Sequence, residues 1–376
     1  MIIGCPKEIK NHEYRVGLTP AGVHSLVLAG HEVRVEKAAG LRVGFSDAAY
    51  ADAGAEIVAA AREVYSAELI VKVKELQPAE YPLTKPGQLL YCYHHLAPDP
   101  ELLQHMLDSG VSCVAYETVT DAQGDLPLLA PMSRIAGRLA PQVGSWALQM
   151  ANGGGGILLG GVPGVLPARV VIIGAGSVGA NAAEIAVGMG AEVTLIDRGV
   201  GKLEKIDAIY RGRIKTAVNN PLTLATAVAD ADLVVGAVLI PGQLAPKLIS
   251  RELLKRMRPG SVIVDVGIDQ GGISEASQPT SHSDPIFVAE GVVHYCVPNM
   301  PSAVARTATL ALTQATLPYA LALANLGLKE ASARDAGLLN GLQVHQGRVT
   351  HEGLARDVGR EYTSPINLSH GDALRS

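Results

Sequence analysis

The chain has 376 residues, 48% of them hydrophobic and 18% charged, with a formal net charge of −5. This length and apolar content point to two domains with large buried cores, and without a long basic run there is no support for nucleic-acid binding. Only 4% of residues are aromatic, so the cores have to be built from Ala, Val, Leu and Ile.

The opening MIIGCPKEI reads as a strand that turns charged at Lys7, too early for a signal peptide. Thr19-Pro20, an N-cap followed by proline at the first helical position, starts a helix over 20–30. HEVRVEK alternates as a strand, 47–60 is helical in pattern, and ELIVKVK and QLLYCYHHL are strands. PDPELLQHMLDSG predicts a helix ending at Gly110, and VSCVAYETV a strand. This β-α-β order predicts a parallel or mixed sheet with helices on its faces. Residues 131–150 predict a long helix running to Asn152 and four glycines. ADLVVGAVLI and SVIVDVG are almost wholly apolar, as parallel strands covered on both faces are. After Asn299 an Ala/Leu-rich helix continues to about residue 328. Its stretch 308–326 carries Thr309, Thr313, Gln314, Thr316 and Pro318, and so reads as a core helix rather than a membrane span. The tail beyond Glu361 is polar. Cys5, Cys92, Cys113 and Cys296 show no metal-ligand spacing and read as reduced, buried thiols of a cytoplasmic protein; no metal is expected.

The most informative stretch is RVVIIGAGSVGANAAEIAVGMGAEVTLID at 169–197. An apolar strand runs into Gly174, Gly176 and Gly179. Gly174 allows the tight turn, Gly176 lets the backbone approach a pyrophosphate, and Gly179 lets the helix pack on the strand. Ser177 and Val178 open that helix, whose N-terminal N–H groups suit phosphate oxygens. Asp197, about 20 residues on, suits the ribose hydroxyls and repels a 2′-phosphate. The reading is NAD, although Arg198 beside it could pair with the 2′-phosphate of NADP.

The expected architecture is α/β in two domains. A Rossmann domain with a doubly wound parallel sheet, 135–300, is inserted into a discontinuous α/β substrate domain, 1–130 and 305–376. Helices at 131–150 and 300–328 link them, and the active site is expected in the cleft between. Two choices stay open on residue chemistry alone. His94 and His95 are neighbours on a strand, so one of the two faces the cleft. Lys72 and Lys74 share a strand face, which would put both in solvent; Lys72 is read that way.

The chain also carries PKEIKNHEYRVGLTP at 6–20, VKVKEL at 71–76, YCYHHLAPD at 91–99, APMSRIAGR at 130–138, GGVPGV at 160–165, VIIGAGSVG at 171–179, GAVLIPG at 236–242, DVGIDQGG at 265–272 and VPNMPSAV at 297–304. Taken together these segments resemble the bacterial alanine dehydrogenases over nearly the whole chain. The resemblance implies reversible, NAD-dependent oxidative deamination of L-alanine to pyruvate and ammonia by a homohexamer. It implies that Arg15 and Lys74 hold the substrate carboxylate or carbonyl, that His95 is the general acid/base, and that Asp269 orients or activates water. Tyr93 and Glu117 would support this site. It places Met132, Ser133 and Asn299 near substrate and nicotinamide and Lys202 near the adenosine end, with the adenine pocket near Val218 to Asn220 only weakly matched. Rival readings are the NAD-binding component of a proton-translocating transhydrogenase, which has no amino-acid substrate, and a non-catalytic NAD(H) sensor.

Overall fold

The structure, a computed structural model, describes residues 1–238 and 244–365. The end of the GAVLIPG segment and most of the polar tail lie outside the described residues. The chain divides into two compact units, one made of Met1–Pro131 with the chain from Val304 onward, the other of Met132–Ala303.

The first unit begins with β1 (Ile2–Cys5), α1 (Pro20–Leu28) and β2 (Glu32–Glu36). Thr19 caps α1 by accepting from the Gly22 N–H at 3.1 Å, with Pro20 at the first turn, as the sequence predicts. The predicted helix over 47–60 is two elements. α2 covers only Asp47–Asp52, Gly54 at φ +98° reverses the chain, and Glu56–Val58 forms β3 alongside β2. The Ala-rich composition hid a turn that the glycine makes. There follow α3 (Ala61–Val64), β4 (Leu69–Val71), β5 (Leu89–Cys92), α4 (Pro100–Asp108) and β6 (Ser112–Ala115); α5 (Ala130–Ala147) starts at the end of this segment and belongs, from Met132 on, to the second unit.

The second unit adds β7 (Arg169–Ile173), α6 (Ser177–Gly188), β8 (Glu192–Asp197), α7 (Val200–Tyr210), β9 (Ile214–Val218), α8 (Pro221–Ala229), β10 (Leu233–Gly236), α9 (Arg251–Leu254), β11 (Val262–Asp265), β12 (Ile286–Ala289) and β13 (Val292–Tyr295). Their sheet order is β12-β13-β11-β10-β7-β8-β9, parallel except for β12. The chain winds from β7 to one edge and then returns to the other side, so the order reverses between β7 and β10. Crevices at such a reversal are where doubly wound sheets bind ligands. The apolar faces of β7, β10 and β11 are buried with Leu224, Val228, Leu254 and Ile273. Each such fully buried side chain contributes about 1.5–3 kcal/mol.

The first unit is completed by α10 (Ala305–Arg334), α11 (Ala336–Asn340), the hairpin β14 (Leu342–His345) and β15 (Arg348–Val349), and α12 (Glu352–Val358). The helix expected to end near 328 runs on to Arg334, past a break at Gly327, whose φ is +74°. The sheet order is β15-β14-β6-β5-β4-β1-β2-β3, with β1 to β6 mutually parallel. This sheet too is doubly wound, and its order reverses between β1 and β4.

Candidate active site

In the first unit the candidate functional side chains lie on the chain segments that leave the sheet at and beside that reversal. β1 and β4 are neighbours, with Ile3 opposite Leu69 and Gly4 opposite Ile70. The chain after β1 carries Glu13 and Arg15, the chain after β4 carries Lys72, Lys74 and Glu75, and the chain after β5 carries Tyr93, His94 and His95.

Arg15 is buried, and Glu13 grips one edge of its guanidinium: Nε donates to Oε1 at 2.7 Å and Nη2 to Oε2 at 2.6 Å. Burial opposes the cation, but the bonds and charge of Glu13 outweigh it and raise the guanidinium further. Lys74 is also buried, its Nζ 3.2 Å from Glu75 Oε2. Glu75 is bonded by Lys10 as well, and although burial opposes its charge the two lysines lower it to about 2. Lys72 is not in solvent. β4 ends at Val71, so strand alternation stops before either lysine, and Lys72 turns inward to 1% exposure between Glu80 at 2.7 Å and Glu8 at 3.4 Å.

The two histidines separate cleanly. His94 is fully buried, its Nε2 3.3 Å from the Leu90 carbonyl, and burial lowers its imidazole to about 4. His95 is 44% exposed at its side chain. Its backbone has φ +46°, a strained left-handed conformation for a residue with a Cβ. Glu117 holds this turn through backbone N–H groups, accepting from His94 at 3.0 and 3.2 Å and from His95 at 2.7 Å. Tyr93 stacks on the His95 ring at 9° between planes, and its hydroxyl donates to the Leu128 carbonyl. Partial removal from water, together with the charges of Lys74 and Lys10, lowers the His95 imidazole below its ordinary value. Lys74 and His95 thus share one electrostatic neighbourhood, and Tyr93, which stacks on His95, lies in the field of Arg15.

In the second unit the loop after β7 fits a dinucleotide pyrophosphate. Gly174 has φ +108°, and a Cβ on it would lie 2.6 Å from the Ala237 carbonyl oxygen. A Cβ on Gly179 would lie 1.7 Å from the Gly174 carbonyl oxygen, whereas one on Gly176 would meet nothing within 4 Å. The glycines are therefore used differently: two permit the fold, and the third leaves open space. Gly176 is the N-cap of α6 and supplies no side-chain cap, so the N–H groups at Ser177, Val178 and Gly179 face an end suited to an anion. Asp197 ends β8, with Oδ2 accepting from Ala175 at 2.6 Å and Oδ1 from Gly199 at 2.7 Å. It braces the glycine loop, which the sequence reading did not anticipate, and each oxygen keeps a second lone pair. Lys202 is exposed, and its stem runs past Gly199. Ser133 lies one helical turn before Gly137, on the face of α5 that meets α6 at the Val178 carbonyl. Asp269 stands exposed in a single turn after β11, and Asn299 follows β13 with φ +55°. Asp265 is structural: it is buried and accepts from Ile273 at 2.7 Å and Ser277 at 2.6 Å.

Two family models match the chain, "Alanine dehydrogenase/PNT, N-terminal domain" over residues 4–136 and "Alanine dehydrogenase/PNT, C-terminal domain" over 140–352. The chain belongs to the alanine dehydrogenase/PNT family. It is 54% identical over 369 residues to the alanine dehydrogenase of Halomonas elongata, covering 98% of this chain and all of that one. Against the alanine dehydrogenase of Bacillus subtilis it is 53% identical over 363 residues, 96% of both chains. A solved L-alanine dehydrogenase superposes with a TM-score of 0.93 at 50% identity, over 96% of this chain and 99% of that one. The transhydrogenase of Sinorhizobium meliloti superposes at 0.79 with 24% identity, over 94% of this chain and 99% of that one, a likeness of fold.

Sequence reasoning missed Glu13 and the buried acids around Lys72. The available signal was the density of charge in PKEIKNHEYR, directly after an apolar strand: acids placed there either meet solvent or meet buried cations.

Proposed function

We propose that the chain is an L-alanine dehydrogenase, catalysing the reversible, NAD-dependent oxidative deamination of L-alanine to pyruvate and ammonia. The observation that carries this reading is the polar set at the β1/β4 reversal, Arg15, Lys74 and His95, in a chain about half identical to alanine dehydrogenases over nearly its full length. A dinucleotide alone needs no buried guanidinium and lysine in the first unit; a small anionic substrate does.

Bound NAD would supply the hydride acceptor, held by the loop Gly174, Gly176, Ser177, Val178 and Gly179, by Asp197 and Lys202 at the adenosine side, and by Ser133 and Asn299 near the nicotinamide. Arg15 offers directed N–H donors to the substrate carboxylate, in the fork geometry that guanidinium provides. Lys74 places its ammonium where it polarises the carbonyl or imine, drawing electron density from carbon. His95, held neutral, accepts a proton as water adds to the imine and returns it as ammonia leaves. Asp269 is assigned the carboxylate that orients this water. Glu117 and Tyr93 fix the His95 ring, one through its backbone and the other through its face.

The chain is further assigned as a homo-oligomer, hexameric as family resemblance implies. In support, Leu158, Val162, Val165 and Leu166 lie exposed around a short hairpin in the second unit, an apolar surface that a second copy would cover. A cytoplasmic location accords with four buried cysteines that are all free.

The test is oxidation of NADH followed by absorbance with pyruvate and ammonium, beside NADPH and a control lacking ammonium. Ammonium-dependent oxidation of NADH is expected. NADH binding without turnover would overturn the assignment in favour of a nucleotide-binding component.

A further inference from the structure

β4 is flanked by β1 on one edge and β5 on the other. Past Val71 the β5 edge stays paired: Lys72 N–H donates to the Tyr91 carbonyl at 3.2 Å, and Tyr93 N–H donates to the Val73 carbonyl at 3.1 Å. On the other edge β1 stops at Cys5. A side chain takes its place. Glu8 Oε1 accepts from Val73 N–H at 2.6 Å and, more weakly, from Lys74 N–H at 3.4 Å.

Glu8 is itself anchored. Its Oε2 receives the Lys72 ammonium at 3.4 Å; the same ammonium donates to Glu80 Oε1 at 2.7 Å, which also receives the Tyr65 hydroxyl at 2.8 Å. Glu80 Oε2 closes the chain by accepting from Gln77 N–H at 2.8 Å. All four side chains are buried. Burial works against the charge on Lys72, but Glu8, Tyr65 and Glu80 outweigh it. An apolar core of the same volume would hold the sheet at least as well as buried ions do. What this network does that apolar packing does not is grip two particular N–H groups, one of them on the residue whose ammonium is assigned to the substrate.

We propose that Glu8 is a positioning residue for Lys74: its carboxylate, fixed by Lys72 and Glu80, sets the backbone of residues 73–74 and so aims the Lys74 ammonium at the substrate. The inference rests on the assignment of Lys74 as a substrate contact. Because Val73 also bonds Tyr93, the same clamp sets the spacing between Lys74 and the stacked Tyr93–His95 pair.

The experiment is a double-mutant cycle read by pyruvate binding to the NADH-loaded protein, followed by NADH fluorescence, with melting temperature and the NADH dissociation constant as controls. Glu8→Ala is expected to weaken pyruvate binding roughly tenfold to a hundredfold, the size of a weakened hydrogen bond from a charged group, and to leave the NADH dissociation constant unchanged. Should Glu8→Ala fail to fold, Glu8→Gln serves: it keeps the shape, weakens the hold on Lys72, and is expected to shift pyruvate binding in the same direction by less. In a Lys74→Ala background the Glu8 substitution is expected to add nothing, because its effect passes through Lys74. Full additivity in the cycle, or normal pyruvate binding in a folded Glu8 variant, overturns the proposal. If Lys74→Ala itself binds pyruvate normally, the assignment of Lys74 fails first, which the single variant distinguishes.

Discussion

His95 and Glu117 are joined through the backbone rather than ring to carboxylate. The His95 N–H donates to Glu117 Oε1 at 2.7 Å, while the ring Nδ1 stands 4.0 Å from that same oxygen. Burial pushes the Glu117 carboxyl up, against the N–H groups of His95 and His94. Glu117 thus holds the shape of the turn, and the imidazole gains little of the charge stabilisation that a direct ion pair would give.

The first prediction separates these roles. His95→Ala is expected to lower turnover by roughly 10²–10⁴-fold, the range for loss of a general acid/base, with NADH binding retained. Because the environment lowers the imidazole from its ordinary 6.5, His95 stays neutral as pH falls through that value. The acid limb of kcat/KM for alanine oxidation is therefore expected below pH 6.5, and an acid limb above 6.5 would contradict the assignment. Glu117→Gln is expected to keep the acid limb in place while reducing kcat.

The glycines of the loop make a second, paired prediction. Gly179→Ala forces a Cβ to within 1.7 Å of a backbone oxygen and is expected to destabilise the protein by about 1–3 kcal/mol, as overpacking does. Gly176→Ala meets open space and is expected to leave the denaturation midpoint unchanged while raising the NADH dissociation constant. Equal loss of stability in both variants would mean that the space beside Gly176 is not kept for a ligand.

Asp197→Ala is expected to weaken NADH binding by roughly tenfold or more, the loss of a charge-assisted hydrogen bond, through both the ribose contact and the loop that Asp197 braces. Titration with NADH and NADPH checks this. An unaltered NADH constant would remove Asp197 from the site, and a gain in NADPH affinity would identify it as the cofactor selector beside Arg198.

A further prediction concerns His94. Its folded-state value of about 4 lies below the ordinary 6.5, so the folded state holds it neutral. Above pH 6.5 folded and unfolded chains are alike in this respect. As pH falls from 6.5 to about 4 only the unfolded chain takes up the proton, and stability drops by an amount on the order of 3 kcal/mol. Replacing His94 with Asn is expected to flatten the dependence of melting temperature over that window, even if the variant is less stable throughout.

The doubly wound sheet of the second unit was legible because its signals are local: strand, glycines, helix, strand and acid follow one another within 169–197. The first unit was less legible because its site is assembled by topology. Nothing in VKVKEL reveals that the strand stops at Val71, so periodicity placed Lys72 in water when it is buried between two acids. His94 and His95 could not be ranked by alternation because the chain leaves β5 at Cys92 and turns left-handed at His95. The hairpin β14–β15 gave no clear pattern either; its pairing with β6 depends on residues more than 200 positions away.

Glu13 occupies Arg15 before any substrate arrives. The guanidinium is already dehydrated, and its rotamer is already chosen. A flexible surface arginine loses that freedom, and its water, each time it captures a carboxylate. Here folding has done so once, and a carboxylate bound at Arg15, as proposed, would meet a partner that has little left to order. On that assignment, affinity for so small a molecule as a three-carbon acid would depend on rigidity within the protein more than on the number of contacts the ligand makes.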